Sequence, residues 1–76
     1  MKHVIEVFDR HSEELLLSVE VPNSRHKELA KLMDWHTPED EFGGYDLSLE
    51  QVRTLEDWTG RTLRDENHIV QLVCIE

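Results

Sequence analysis

Two runs of alternating side chains, joined by a short polar stretch, limit the possible folds of this chain more than any other feature. Residues 3–9 place Ile5 and Val7 on one face of an extended segment. In residues 14–21, every other side chain of a second run is apolar, namely Leu15, Leu17, Val19 and Val21. Because a period of two is typical of half-buried strands, the pattern predicts a β-hairpin whose loop is residues 9–13.

Two helices are predicted after the hairpin. Residues 24–35 have helical spacing that puts three apolar side chains on one side, Leu29, Leu32 and Met33. The second helix starts after Ser48, and Gln51 stands three residues later, where its side chain can reach back to the N–H of the cap. Gly60 supplies the left-handed conformation with which helices often end. The inward stripe of this helix is predicted to be Val52, Leu55 and Thr59.

Residues 68–75 are predicted to form the last strand. Both of its faces are apolar, so the buried set is either Ile69, Val73 and Ile75 or Val70, Leu72 and Cys74. We therefore expect a single α+β domain over residues 1–76, with the order ββααβ. Its two layers would be a three-stranded antiparallel sheet, with the last strand paired to the first, and two helices packed on one face. The uncovered face would expose apolar area to a partner or a second copy, unless Val4 and Leu16 are scattered surface residues.

Charge and composition exclude several classes of partner. The chain carries 17 acidic residues against 8 Lys and Arg, a net charge of −9. Such a chain repels phosphate backbones and anionic membranes, so we expect no direct nucleic-acid or membrane binding. It favours a basic protein partner, whose approach would be steered by charge. Without a membrane-spanning run, a signal-peptide core or a second cysteine beside Cys74, the sequence predicts a cytoplasmic location.

Residues that could carry catalysis form no known pattern. The histidines lack the spacing of a metal site, and Cys74 lies in a predicted strand without an activating base. No glycine-rich phosphate loop or nucleophile motif occurs. We therefore expect a protein that is not an enzyme and that uses no cofactor or metal.

The acidic residues are concentrated in residues 34–66, which hold ten Asp and Glu against three arginines. Aromatic side chains accompany them, and acids mixed with Trp and Tyr are typical of a protein interface. Trp58 and Phe42 could instead cover the end of a small core. The predicted partner-binding residues are Trp35, Glu39, Asp40, Glu41, Tyr45, Asp46, Glu50, Asp57 and Trp58.

Three segments carry a resemblance to a known class of protein: residues 5–9, residues 13–16 and residues 44–52. They resemble segments of bacterial immunity proteins, the antidotes encoded beside contact-dependent or bacteriocin-type toxins. The resemblance implies one-to-one inhibition of a cognate toxin, the toxic C-terminal domain of a neighbouring gene product. Such toxins are often nucleases with basic clefts, which the acidic surface would fill or block.

Two other functions remain open from the sequence. One is a phage-type acidic inhibitor, or a nucleic-acid mimic, that acts on a host nuclease or defence complex. Its charges would follow the regular spacing of a duplex, whereas the acids of this chain are clustered. The other is a homodimeric interaction module that uses the exposed face of the sheet.

Overall fold

The predicted hairpin is present at the start of the chain. In the computed structural model, which describes residues 2–75, β1 spans Lys2–Asp9 and β2 spans Leu15–Glu20, and the two strands pair antiparallel. The Asp9 carboxylate closes the turn by accepting the backbone N–H groups of His11 at 2.8 Å and Ser12 at 2.9 Å. These two bonds hold the pKa of Asp9 below its ordinary value, because they favour the charged form.

The sheet has four strands instead of the predicted three. Its order is β2-β1-β4-β3, where β3 is the two-residue strand Tyr45–Asp46 and β4 is His68–Ile75. As predicted, β4 pairs antiparallel with β1, from Lys2 opposite Ile75 to Asp9 opposite His68. The sequence pattern did not reveal β3, because two residues are too few to show a period of two.

The two helices follow the hairpin in the predicted order. A 3-10 turn at Asn23–Arg25 leads into α1, His26–Leu32, which ends earlier than predicted because Asp34 takes a left-handed φ of 56°. The second helix, α2, spans Leu49–Thr59. Its start is the predicted capping box, with Ser48 and Gln51 each bonding the other's backbone N–H, and Gly60 ends it at φ 69°.

The core lies between one face of the sheet and the two helices. Leu29 of α1 and Leu55 of α2 are at most 1% exposed and pack with Ile5, Val7 and Leu72 of the sheet. Both helices therefore cover the same face, as predicted, and the inward set of β4 contains Val70 and Leu72. We call the uncovered side of the sheet the open face.

A bulge in β2 reverses one predicted orientation. The pairing runs from Val7 opposite Leu17 to Phe8 opposite Leu15, so Leu16 is the extra residue of β2. Leu15 therefore lies on the open face with Phe8 and is 51% exposed, instead of sharing the core face with Leu17. One inserted residue shifts the side-chain alternation, and the sequence pattern alone did not show where it occurs.

Candidate partner-binding surface

Asp40, in the middle of the predicted acidic cluster, stabilises its own segment. It belongs to a 3-10 turn at Pro38–Phe42, where its carboxylate accepts the backbone N–H groups of His36 at 2.8 Å and Thr37 at 3.1 Å. These bonds keep the pKa of Asp40 below its ordinary value. Asp40 is thus a capping residue of the turn, and only its remaining lone pairs are available to a partner.

Glu41 is turned toward the body of the protein. Its carboxylate lies 3.5 Å from Nε2 of His26, and its side chain is only 20% exposed. His3, 6% exposed, packs beside His26 with ring centroids 5.7 Å apart. Burial lowers the pKa of His3, and the nearby Glu41 charge opposes this shift in part. Glu41 therefore belongs to a cluster that joins the Pro38–Phe42 turn to α1 and β1.

The two aromatic residues predicted to contact a partner continue this cluster. The Trp35 ring lies 5.3 Å from His3 and 6.0 Å from Tyr45, and both residues are half-buried. The Tyr45 hydroxyl donates to the backbone carbonyl of Asp40. Both rings thus pack within the protein, and only their exposed parts remain for a partner.

Trp58 and Phe42 differ from each other. Trp58 is half-buried against the core, and the guanidinium of Arg25 lies 5.4 Å from its ring centroid, within the range of a cation–π contact. Phe42 is 56% exposed, so the alternative of a core-covering role fits Trp58 and not Phe42. Phe42 was not among the predicted binding residues, and nothing in its local sequence distinguishes it from a core aromatic.

Four of the predicted acids are exposed: Glu39, Asp46, Glu50 and Asp57. None of them forms an ion pair with any residue between Lys2 and Ile75. Asp46 accepts a hydrogen bond from Nε2 of Gln71 at 2.7 Å and lies with Gln71 on the open face. Glu50 and Asp57 belong to α2, on the other side of the sheet. The predicted residues therefore divide between two surfaces and do not form one patch.

Glu56 has a structural role that its place in the sequence does not indicate. One of its carboxylate oxygens accepts the backbone N–H groups of Leu63 at 2.7 Å and Arg64 at 3.0 Å, and the other lies 3.5 Å from Nε of Arg64. The two backbone bonds hold the pKa of Glu56 below its ordinary value. They also fix the segment that carries Leu63, a core residue only 1% exposed.

Substituting Glu56→Gln is expected to lower the free energy of unfolding by about 1–2 kcal/mol at neutral pH. The Gln amide oxygen can still accept the two backbone hydrogen bonds, but it lacks the charge that strengthens them, and the contact with Arg64 is no longer an ion pair. A carboxyl whose pKa is lowered on folding stabilises the protein above its unfolded pKa, and this contribution disappears as the pH falls. The variant should therefore lose less stability than the natural protein between neutral pH and acid. Urea denaturation over a pH series measures both effects. Asp57→Asn, the neighbouring exposed acid, is the control, and equal losses for both variants would contradict this role.

The open face carries several apolar side chains, among them Leu15 at 51% and Ile75 at 49% exposure. The register places Leu15, Phe8 and Ile69 in one row across β2, β1 and β4. The next row is polar and contains Ser18, Glu6, Gln71 and Asp46. Val4, which is only 7% exposed, and Val73 follow beside Glu20, and then Lys2 opposite Ile75. The face is thus apolar at both ends, with an acidic and amide band between them.

Within residues 2–75, no three His, Cys, Asp or Glu side chains are arranged to hold a metal ion. The same residues include no helix of the length and apolar character needed to cross a membrane.

Comparison with known proteins identifies a family for this chain but no similar curated protein or solved structure. No curated protein and no solved structure shows a significant match to the chain. A family described as a domain of unknown function, DUF7683, matches residues 2–73. Because this match covers nearly all of the sequence, the chain belongs to the DUF7683 family.

Proposed function

We propose that this protein is a cytoplasmic immunity protein that binds a basic toxin domain, in the first place a nuclease, and neutralises it. The observation that carries the proposal is the set of exposed carboxylates without an ion-pair partner in residues 2–75, namely Glu39, Asp46, Glu50 and Asp57. They belong to a chain with a net charge of −9. Acids that no internal cation neutralises leave a negative field around the molecule.

That field suits a partner with a positive surface. A nuclease must hold phosphate groups, and it does so with Lys and Arg in its cleft. Carboxylates on a small folded domain can pair with those cations and keep nucleic acid out. The long-range attraction raises the association rate, whereas a few well-packed side chains hold the complex once it has formed.

The proposal is tested by co-purifying the tagged protein with the product of the neighbouring gene in its native locus. We expect a one-to-one complex with a toxic C-terminal domain, loss of the toxin's activity in the complex, and slower association at higher salt. Absence of a toxic neighbour, or a complex whose toxin remains fully active, would contradict the immunity function.

A homodimeric interaction module is the second candidate, and the apolar rows of the open face favour it. Apolar area that is exposed on a folded domain, here on either side of a polar band, is typical of an interaction surface. Sedimentation over a range of protein concentrations distinguishes the two, because a dimer formed through apolar packing persists at high salt. A monomer at all concentrations would rule this candidate out.

A further inference from the structure

The open face contains a depression whose lining combines apolar side chains with a carboxylate and an amide. It is open to solvent, measures about 290 Å³, and is lined by Phe8, Ile69, Glu13 and Gln71. Phe8 and Ile69 are direct partners across β1 and β4 and form an aromatic and aliphatic floor. Glu13 stands in the hairpin loop with a left-handed φ of 62°, and its exposed side chain borders the same depression.

Glu13 has no ion-pair partner in the described part of the chain, because the charged groups near it are engaged elsewhere. Arg10, in the same loop, donates from Nη2 to the carbonyl of His68 at 3.2 Å. The Asp9 carboxylate accepts hydrogen bonds from the backbone N–H groups of its own turn. No ion pair within residues 2–75 includes Glu13, so its charge is available to a ligand.

We propose that the depression between Phe8 and Ile69 receives one arginine side chain of the basic protein partner, with the guanidinium paired to Glu13. This inference rests on the proposed function, since it names where and by what chemistry that partner is held. The volume is at the lower limit of small-molecule pockets and suits a single side chain. An arginine stem buries well on apolar surface while its head remains in solvent.

Arginine fits the walls better than the other cation, lysine. Its flat guanidinium can stack on the Phe8 ring and still offer N–H groups to Glu13, and the amide oxygen of Gln71 can accept another. Arginine is also among the residues that contribute most to protein interfaces.

Charge complementarity favours this occupant over a second copy of the chain. Within residues 2–75, the strands of the open face carry Glu6, Glu20 and Asp46 against Lys2, and the hairpin loop adds Glu13 and Arg10 at one end. Two copies packed through this face would bring these carboxylates together, which is unfavourable. A cationic side chain that is flanked by apolar groups of the basic partner meets both the acids and the apolar rows.

The test uses the full chain, isotopically labelled, and two blocked amino acids as probes followed by NMR. N-acetyl-arginine amide should shift the backbone signals of Phe8, Glu13, Ile69 and Gln71. N-acetyl-citrulline amide has nearly the same shape without the charge and should leave them unchanged. Glu13→Gln should weaken arginine binding about threefold or more, as expected for one partly exposed charge pair. Glu14→Gln removes an adjacent charge outside the depression and should retain binding.

Three results would overturn the inference: equal shifts at all exposed carboxylates, binding unchanged in Glu13→Gln, or shifts at these residues that follow protein concentration without any probe. The last would assign the face to a second copy. Failure of the inference and failure of the proposed function are separable. If a captured toxin binds Glu13→Gln as tightly as the natural protein, the arginine site is wrong and the immunity function still stands. If the arginine probe shifts only these signals but no toxin partner is found, the immunity function is wrong and the arginine site still stands.

Discussion

Replacing Leu55 by alanine is expected to lower the free energy of unfolding by about 2–5 kcal/mol, the range found for buried leucines in other proteins. Leu55 is completely buried, and it packs α2 against the core face of the sheet. The smaller side chain loses apolar contacts and leaves a cavity that its neighbours fill only in part. Small domains have total stabilities near the lower end of about 5–15 kcal/mol, so this one change removes a large share.

Urea denaturation followed by Trp fluorescence measures this loss. Leu49→Ala is a matched control, because Leu49 is the same residue type in the same helix but is 57% exposed. It should change the free energy of unfolding by no more than about 0.5 kcal/mol, as surface substitutions usually do. A loss below about 1 kcal/mol for Leu55→Ala would show that the cavity closes almost without cost.

The elements that were predicted correctly are those whose signals are local. The hairpin follows from alternation within two short runs, and α2 follows from the Ser48 capping box and the Gly60 end. The pairing of β4 with β1 follows from a simpler constraint, since both are long apolar strands in a chain with few other strands. These features are fixed within a few residues of sequence or by the small number of arrangements open to so short a chain.

The features that were missed depend on contacts between distant segments. The strand β3 exists because Tyr45 and Asp46 meet β4, which lies more than twenty residues later in the sequence. The bulge at Leu16 depends on how β2 meets β1 around the hairpin loop. Neither feature shows in the sequence pattern. The two residues of β3 are too few to show an alternation, and a bulge breaks the alternation of the strand that contains it.

The acidic surface was predicted from charge density, which cannot distinguish solvated carboxylates from capping ones. Glu39, Asp40 and Glu41 are adjacent in sequence, yet one is exposed, one caps the turn and one faces His26. A local signal for Asp40 does exist, because Thr37 precedes it by three residues in the spacing of a capping box. The role of Glu41 depends on α1 packing nearby and has no such signal.

These differences decide how the acidic surface should be tested. Reversing Glu39, Asp40 and Glu41 together would break the cap of the Pro38–Phe42 turn and the contact with His26 along with the charge. Reversing Glu39, Glu50 and Asp57 to lysine alters charge at exposed positions that no ion pair holds in the described chain. The fold should persist, and circular dichroism with urea denaturation checks that it does.

This triple variant is expected to associate with the toxin domain about tenfold more slowly, or slower still, at low salt, since steering by charge contributes that much or more to protein association rates. The control reverses three exposed acids elsewhere that likewise form no ion pair in the described chain, Glu14, Glu20 and Glu66, and so changes the net charge equally. Stopped-flow rates at several salt concentrations compare both variants with the natural chain. If Glu39, Glu50 and Asp57 face the partner, their variant is slowed more than the control and has the weaker salt dependence, because the attraction that salt screens has been removed. Equal slowing of both variants would mean that only the net charge matters, and the arginine site on the open face would then be the surface to pursue.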